Sequence, residues 1–366
     1  MTEGQPDPQA RVRHTLATRA GRSNTPGVQY VVVNAGGALF EHASGWADVR
    51  RQALMDVGTT MMAYSMSKTI TAVAVLQLVE AGCLGLDDPP ERYVDASPYG
   101  AKVTVRHLIA HLSGIPNPIP LRWVHPADRH ASFDEAAALS AVLRAHPRLS
   151  FEPGTKYAYS NIGYWLLGKV IERASGQTFT SYVTEHVLQP LEITPRELGY
   201  LVQDPTRHAM GYLERYSIMN LVKGFLIDRE LVGDYAGRWL EIRSHYLNGP
   251  AFGGLVGSAR AFGKFLQDQL RQQSLLFTRS TRQLLYAPQR TIRGAPVAMT
   301  LGWHIGQLGG TRYFYKEGGG GGFHCMMRLY PNAGIGTVVM SNATAFDVCG
   351  LLDTMDPWFL QMHRTR

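Results

Sequence analysis

The sequence predicts an α+β protein, on three observations: a strand pair near the amino terminus, a mostly helical middle, and four strand-like segments near the carboxyl end. The late strands can complete an antiparallel sheet that the early pair begins. Residues 9 to 20 read as a helix. Gly27-Val-Gln-Tyr-Val-Val-Val and Ala38-Leu-Phe-Glu-His-Ala then read as two strands joined by Asn34-Ala-Gly-Gly. Ile70 to Val79 is almost continuously apolar, broken only by Thr71 and Gln77 and stopped by Gly82, which predicts a helix buried on all sides.

After Asp87-Asp-Pro-Pro the pattern turns helical at 104 to 112, 133 to 145, 162 to 174 and 178 to 188, punctuated by proline and glycine. Ile218, Leu221, Val222, Phe225 and Leu226 follow the helical apolar spacing, among Tyr212, Tyr216, Tyr235, Trp239 and Tyr246. Core packing is the expectation for this group, and an apolar wall or lid over a substrate is the functional alternative. Strands return at Met299 to Ile305, Thr311 to Lys316, Phe323 to Tyr330 and Ile335 to Met340, before a helix near 346 to 361. Residues 1-86 and 255-366 are expected to build one discontinuous sheet domain, with 87-254 inserted as a helical domain and the active site in the cleft between.

A chain of 366 residues can bury a sizeable core. Its formal charge of +7 is carried mostly by 29 arginines, dispersed without a long basic run, so a solvated surface is expected and no nucleic-acid partner. No twenty-residue apolar run predicts a membrane span. The polar start Met1-Thr-Glu-Gly-Gln-Pro-Asp-Pro lacks an export pattern, and a cytoplasmic location is expected. Cys83, Cys325 and Cys349 are too few and too scattered for a disulfide framework or a zinc site. His107 and His111 have metal-like spacing, but the glutamate of a His-Glu-x-x-His site is missing, so no metal is expected. There is no Gly-x-Ser-x-Gly elbow, and the glycine run 318–322 lacks the Lys-Ser/Thr of a phosphate loop. No organic cofactor is expected either.

The chemistry concentrates in three short motifs. Ser65 and Lys68 stand three residues apart where the buried helix begins, so they share a face and the amine reaches the hydroxyl. Burial and the positive end of the helix dipole both disfavour a charged lysine, which makes Lys68 a candidate base for a Ser65 nucleophile. Free N–H groups of the first turn point at an oxyanion forming there. Ser67, off that face, is expected to be structural. Alone the tetrad is weak, since about 0.3 such matches arise by chance in a chain of this composition. Tyr159-Ser160-Asn161 and Lys316-Glu317-Gly318 follow it in order.

With these three motifs the chain resembles the serine β-lactamase and penicillin-binding-protein superfamily, and most of all class C β-lactamases and family VIII carboxylesterases. Val103-Thr-Val-Arg-His-Leu-Ile-Ala-His-Leu-Ser-Gly-Ile, Leu188-Gln-Pro-Leu, Gly253-Gly-Leu-Val-Gly-Ser-Ala-Arg-Ala-Phe and Leu301-Gly-Trp extend the resemblance over roughly residues 25 to 345. It implies a β-lactamase-like two-domain fold and a serine hydrolase that cleaves small esters, or amides, through an acyl-Ser65 intermediate. A D-amino-acid peptidase or amidase, an acyltransferase, a weak β-lactamase and a sensor that is acylated without turnover are the alternatives.

The resemblance also implies roles. Tyr159 maps onto the second base, and two nearby lysines are expected to draw its pKa down toward working pH. No Glu-x-x-Leu-Asn offers a glutamate for deacylation, which then falls to Tyr159. Asn161 is expected to bind substrate, hold Lys68 or cap a helix. On a strand, Lys316 and Gly318 face one way, presenting an ammonium and a bare backbone to the cleft, with Gly318 admitting substrate. The N–H of Gly319 pairs by analogy with that of Ser65 as the oxyanion hole. Glu317 replaces the usual threonine and a glycine follows where a small polar residue is usual, so efficient antibiotic hydrolysis is not expected.

Overall fold

Gly27–Asn34 is buried along almost its whole length, because it lies between two strands and under helices on both faces. It pairs antiparallel with Ile335–Ser341 on one side and Gly37–Asp48 on the other. A computed structural model of the chain describes residues 7–21, 25–95, 97–118, 123–221, 223 and 228–364. The main sheet has seven strands in the order His304–Leu308, Thr311–Gly320, Phe323–Tyr330, Ile335–Ser341, Gly27–Asn34, Gly37–Asp48 and Ala53–Leu54. All of them come from residues 27–54 and 304–341, so the late strands complete the sheet begun by the early pair.

Side-chain alternation sorts the sheet into two cores. Val31 and Val33 join the core shared with helices Ser67–Glu80 and Ala259–Leu270. Val28, Tyr30 and Val32 join the other, under Val12 and Leu16 of helix Pro8–Gly21 and Leu352, Met355 and Phe359 of helix Val348–Arg364. The second core holds a buried charge. Arg328, Tyr30, Tyr330 and Thr337 converge on the wholly buried Asp356, at 3.5, 2.9, 2.7 and 3.1 Å.

Several elements depart from expectation. The strand expected at Met299 to Ile305 is His304–Leu308, because Gly302 at φ +99° turns the chain and presses it onto Ala72 of the buried helix. The helix expected over 104 to 112 is only Val105–Ile109 and stops before His111, which has φ +57°. A three-stranded sheet, Gly211–Glu214, Trp239–Ile242 and Val232–Ala236, occupies part of the region read as helical. Within it Ile218–Leu221 is helical, and Ile218 and Leu221 are 80% and 86% exposed, against the core packing expected of them. Tyr212 and Leu213 of the neighbouring strand fill the interior instead. Val222, Phe225 and Leu226 lie outside the described residues.

Candidate active site

Ser65 is delivered by a strained turn. Strand Met61–Met62 ends at Ala63, Tyr64 takes φ +44°, and a 3₁₀ turn Tyr64–Met66 runs into helix Ser67–Glu80. A bulky residue in the left-handed region costs about 1–3 kcal/mol and persists only when its surroundings hold it. Here the phenol of Tyr64 does so: its Oη donates to the Gly321 carbonyl at 2.6 Å and lies 3.2 Å from His245 Nε2. Ser67 is structural, accepting from the Leu255 N–H through its Oγ.

Lys68 is wholly buried, one turn beyond Ser65. Its Nζ stands 2.9 Å from Ser65 Oγ, 2.8 Å from Asn161 Oδ1 and 2.5 Å from the Phe252 carbonyl. Burial first, and then the charge of Lys316, holds its pKa well below the usual lysine range. A neutral amine has two N–H donors and one lone pair. The amide oxygen and the carbonyl can only accept, so they take both hydrogens and the lone pair is left facing Ser65 Oγ. On the other side Tyr159 Oη donates to Ser65 Oγ at 2.7 Å. The resulting chain, phenol to hydroxyl to amine, can move the serine proton onto Lys68.

Asn161 holds Lys68, as one of its expected roles required. It does not cap its helix, Asn161–Ser175; Ser160 does, its Oγ accepting from Gly163 N at 3.1 Å. Asn117 Oδ1 accepts from both the backbone N and Nδ2 of Asn161, at 3.0 and 3.1 Å, which turns the Asn161 oxygen toward Lys68. Asn117 was not singled out from sequence. It sits in a loop after Ser113-Gly-Ile-Pro, with no spacing that ties it to the three motifs.

Two expectations are corrected by depth of burial. The Tyr159 pKa is raised, by desolvation above all, although its bond to Ser65 opposes this. The two lysines do not offset this, and burial lowers their own pKa values as well, that of Lys316 to about 7. Lys316 also does not present an ammonium to the cleft. It is wholly buried, with Nζ 5.4 and 5.8 Å from the ring centres of Tyr159 and Tyr164 and, among the described residues, no hydrogen-bond partner. Glu317 faces the other way, 2.7 Å from His324 Nε2, as strand alternation requires.

Gly318 serves backbone packing rather than substrate access. A Cβ there would lie 2.2 Å from the Ala63 carbonyl and 3.0 Å from Ser65 N, so only glycine lets the lysine strand close on the serine turn. Gly319, Gly320 and Gly321 do line the cavity that opens above Ser65, Tyr159 and Asn161. That cavity has a volume of about 240 Å³ and an apolar wall of Val124, Leu231, Ile242, Leu247 and Phe252. Among the described residues, no charged side chain lines it. A second cavity of about 510 Å³, near His125 and His130, shares Leu247 with it and none of the Ser65 constellation.

Comparison with known proteins agrees with this fold. The chain belongs to the beta-lactamase family, whose model matches residues 12–355. It is 25% identical over 323 residues to penicillin-binding protein 4* of Bacillus subtilis, covering 86% of this chain and 68% of that protein. It is 26% identical over 213 residues to protein flp of Staphylococcus aureus, covering 56% of this chain but only 41% of that one. The D-amino acid amidase of Ochrobactrum anthropi shares the fold, with a TM-score of 0.78 at 18% identity over 97% of this chain and 99% of that one. The architecture is thus a β-lactamase-like α+β fold of the serine hydrolase type. No described helix is long and apolar enough to cross a membrane.

Proposed function

We propose that this protein hydrolyses carboxylic esters, and amides more slowly, through an acyl-Ser65 intermediate. The observation that carries the reading is Ser65 Oγ lying within hydrogen-bond reach of a buried, neutral-leaning amine and a phenol at once. Ser65 Oγ attacks the acyl carbon as its proton passes to Lys68 Nζ, and the tetrahedral oxyanion is received by the N–H groups of Ser65 and Gly319. Collapse expels the alcohol, which takes its proton from Lys68 directly or through Tyr159. Water then attacks the ester carbonyl, losing a proton to the same phenol–amine pair, and Ser65 Oγ leaves with a proton from Lys68. The high phenol pKa suits Tyr159 as a relay that gives one proton as it takes another.

The cavity's chemistry supports neutral esters. A D-amino acid amide would bring an α-ammonium, and a β-lactam or D-alanyl peptide a carboxylate, into a space whose described lining offers neither counter-charge. The free thiols of Cys83, Cys325 and Cys349 support a reducing, cytoplasmic setting as part of this proposal.

Intact-mass labelling with a fluorophosphonate tests the nucleophile, with one adduct expected on wild type and none on Ser65→Ala. Turnover of p-nitrophenyl butyrate is expected to exceed that of nitrocefin and of D-phenylalanine amide. Faster cleavage of the amide would replace the esterase reading by an amidase one. A stable adduct with no turnover of any substrate would point to a sensor.

A further inference from the structure

We propose that His111 is a positioning residue for Tyr159, gripping the backbone on both sides of that phenol and laying its ring against it. The inference rests on the hydrolase reading above, since Tyr159 matters only if Ser65 reacts. The two peptide N–H groups that flank Tyr159 both end on this one residue: Ala158 N donates to the His111 carbonyl at 2.9 Å, and Ser160 N donates to His111 Nδ1 at 3.1 Å. The imidazole and phenol ring centres are 4.3 Å apart at 34°, so the side chain also limits the plane in which the phenol can swing.

Core packing alone does not account for this histidine. It is wholly buried and held at φ +57°, a conformation that strains any residue with a Cβ and persists where the surroundings over-determine it. Because Nδ1 accepts from Ser160, the neutral ring carries its hydrogen on Nε2, and among the described residues Nε2 has no hydrogen-bond partner. An apolar residue of similar size would avoid that orphan donor; what it would lose is the acceptor for Ser160. The ring must stay neutral for the grip to work, since a proton on Nδ1 would face the Ser160 N–H. Burial holds its pKa well below the usual histidine range, helped by Lys316, Lys68 and His304. Ser160 is in turn the cap of helix Asn161–Ser175, which anchors the far end of that bond.

The test compares rates of Ser65 labelling by a fluorophosphonate, which need no natural substrate. His111→Gly relieves the backbone and removes both ring and acceptor; His111→Asn keeps an oxygen where Nδ1 stands and tolerates positive φ. His111→Gly is expected to slow labelling about 100-fold, as a misplacement of about 1 Å does. His111→Asn should recover to within about 5-fold of wild type, because the acceptor is restored. In a Tyr159→Phe background, His111→Gly should cost less than about 3-fold more, because a residue acting through the phenol has nothing left to position. Losses that multiply in the double variant, or a His111→Asn that folds with an unchanged melting temperature yet labels about 100-fold slower, would overturn the proposal. The second comparison decides even if His111→Gly does not fold. A wild type that takes no label on Ser65 would overturn the hydrolase reading, and this inference with it.

Discussion

Replacing Asn161 by aspartate tests whether Lys68 must shed its proton for the protein to work. The substitution keeps shape and puts a carboxylate oxygen where an amide oxygen now lies, 2.8 Å from Lys68 Nζ. At that 2.8 Å separation the attraction is about 6 kcal/mol with an effective dielectric of about 20. Expressed entirely in the lysine, this is about 4 pK units upward. Burying the new carboxylate takes back part of it, because Asn161 is only 6% exposed, so a net rise of at least about 1 unit is expected. The sign is definite: an opposite charge favours the ammonium, and an ammonium has no lone pair for Ser65. The acid limb of the kcat against pH curve for p-nitrophenyl butyrate should therefore move to higher pH by about 1 unit or more, with activity largely recovered above it. Asn161→Leu, which removes the acceptor without adding charge, should lower kcat by about 5- to 160-fold at all pH values, from a lost bond to a buried donor of about 1–3 kcal/mol. An aspartate variant whose acid limb stays at the wild-type pH would refute the assignment of Lys68 as the base.

Other predictions follow from the same geometry. Gly318→Ala, with its Cβ 2.2 Å from the Ala63 carbonyl, should push the lysine strand off the serine turn and lower kcat by about 100-fold, measurable by steady-state kinetics on a still-folded protein. Tyr64→Phe loses the 2.6 Å bond to the Gly321 carbonyl that steadies a left-handed residue, and should cost about 1 kcal/mol in urea unfolding and slow acylation in a burst assay. Asp356→Ala leaves three buried hydroxyls without their shared acceptor while Arg328 keeps Asp353 at 2.7 Å, and should lower unfolding free energy by about 1–3 kcal/mol while leaving kcat unchanged at temperatures where the fold survives.

How far such a site can be read from sequence depends on what carries each contact. Ser65 and Lys68 were legible because three residues of helix decide their meeting. Tyr159 and Asn161 were legible because their motif keeps company with the first. The Phe252 carbonyl, Asn117 and His111 were not, because a backbone oxygen has no residue signature and loop registers obey no short period. Depth of burial was misjudged in the same way: residue types at Lys316 and Tyr159 do not state how much protein covers them, and that cover reverses the expected shift of the phenol. In the fold, short runs rich in Val, Tyr and Phe gave the central strands away. The register error at Met299 to Ile305 came from apolar residues that look alike on both sides of a bend made by Gly302. Ile218 and Leu221 show the converse limit, residues at a helical apolar period that lie exposed.

The pairing of Gly27–Asn34 with Ile335–Ser341 has a consequence for biosynthesis. The sheet's middle cannot zip until some three hundred residues have left the ribosome, and Lys316 cannot reach the serine turn before its own strand docks. A partly made chain would thus lack an assembled site, however complete its nucleophile helix. Such distant closure also makes for slow folding, with apolar strands waiting unpaired and in need of shelter from chaperones until the last of them arrives.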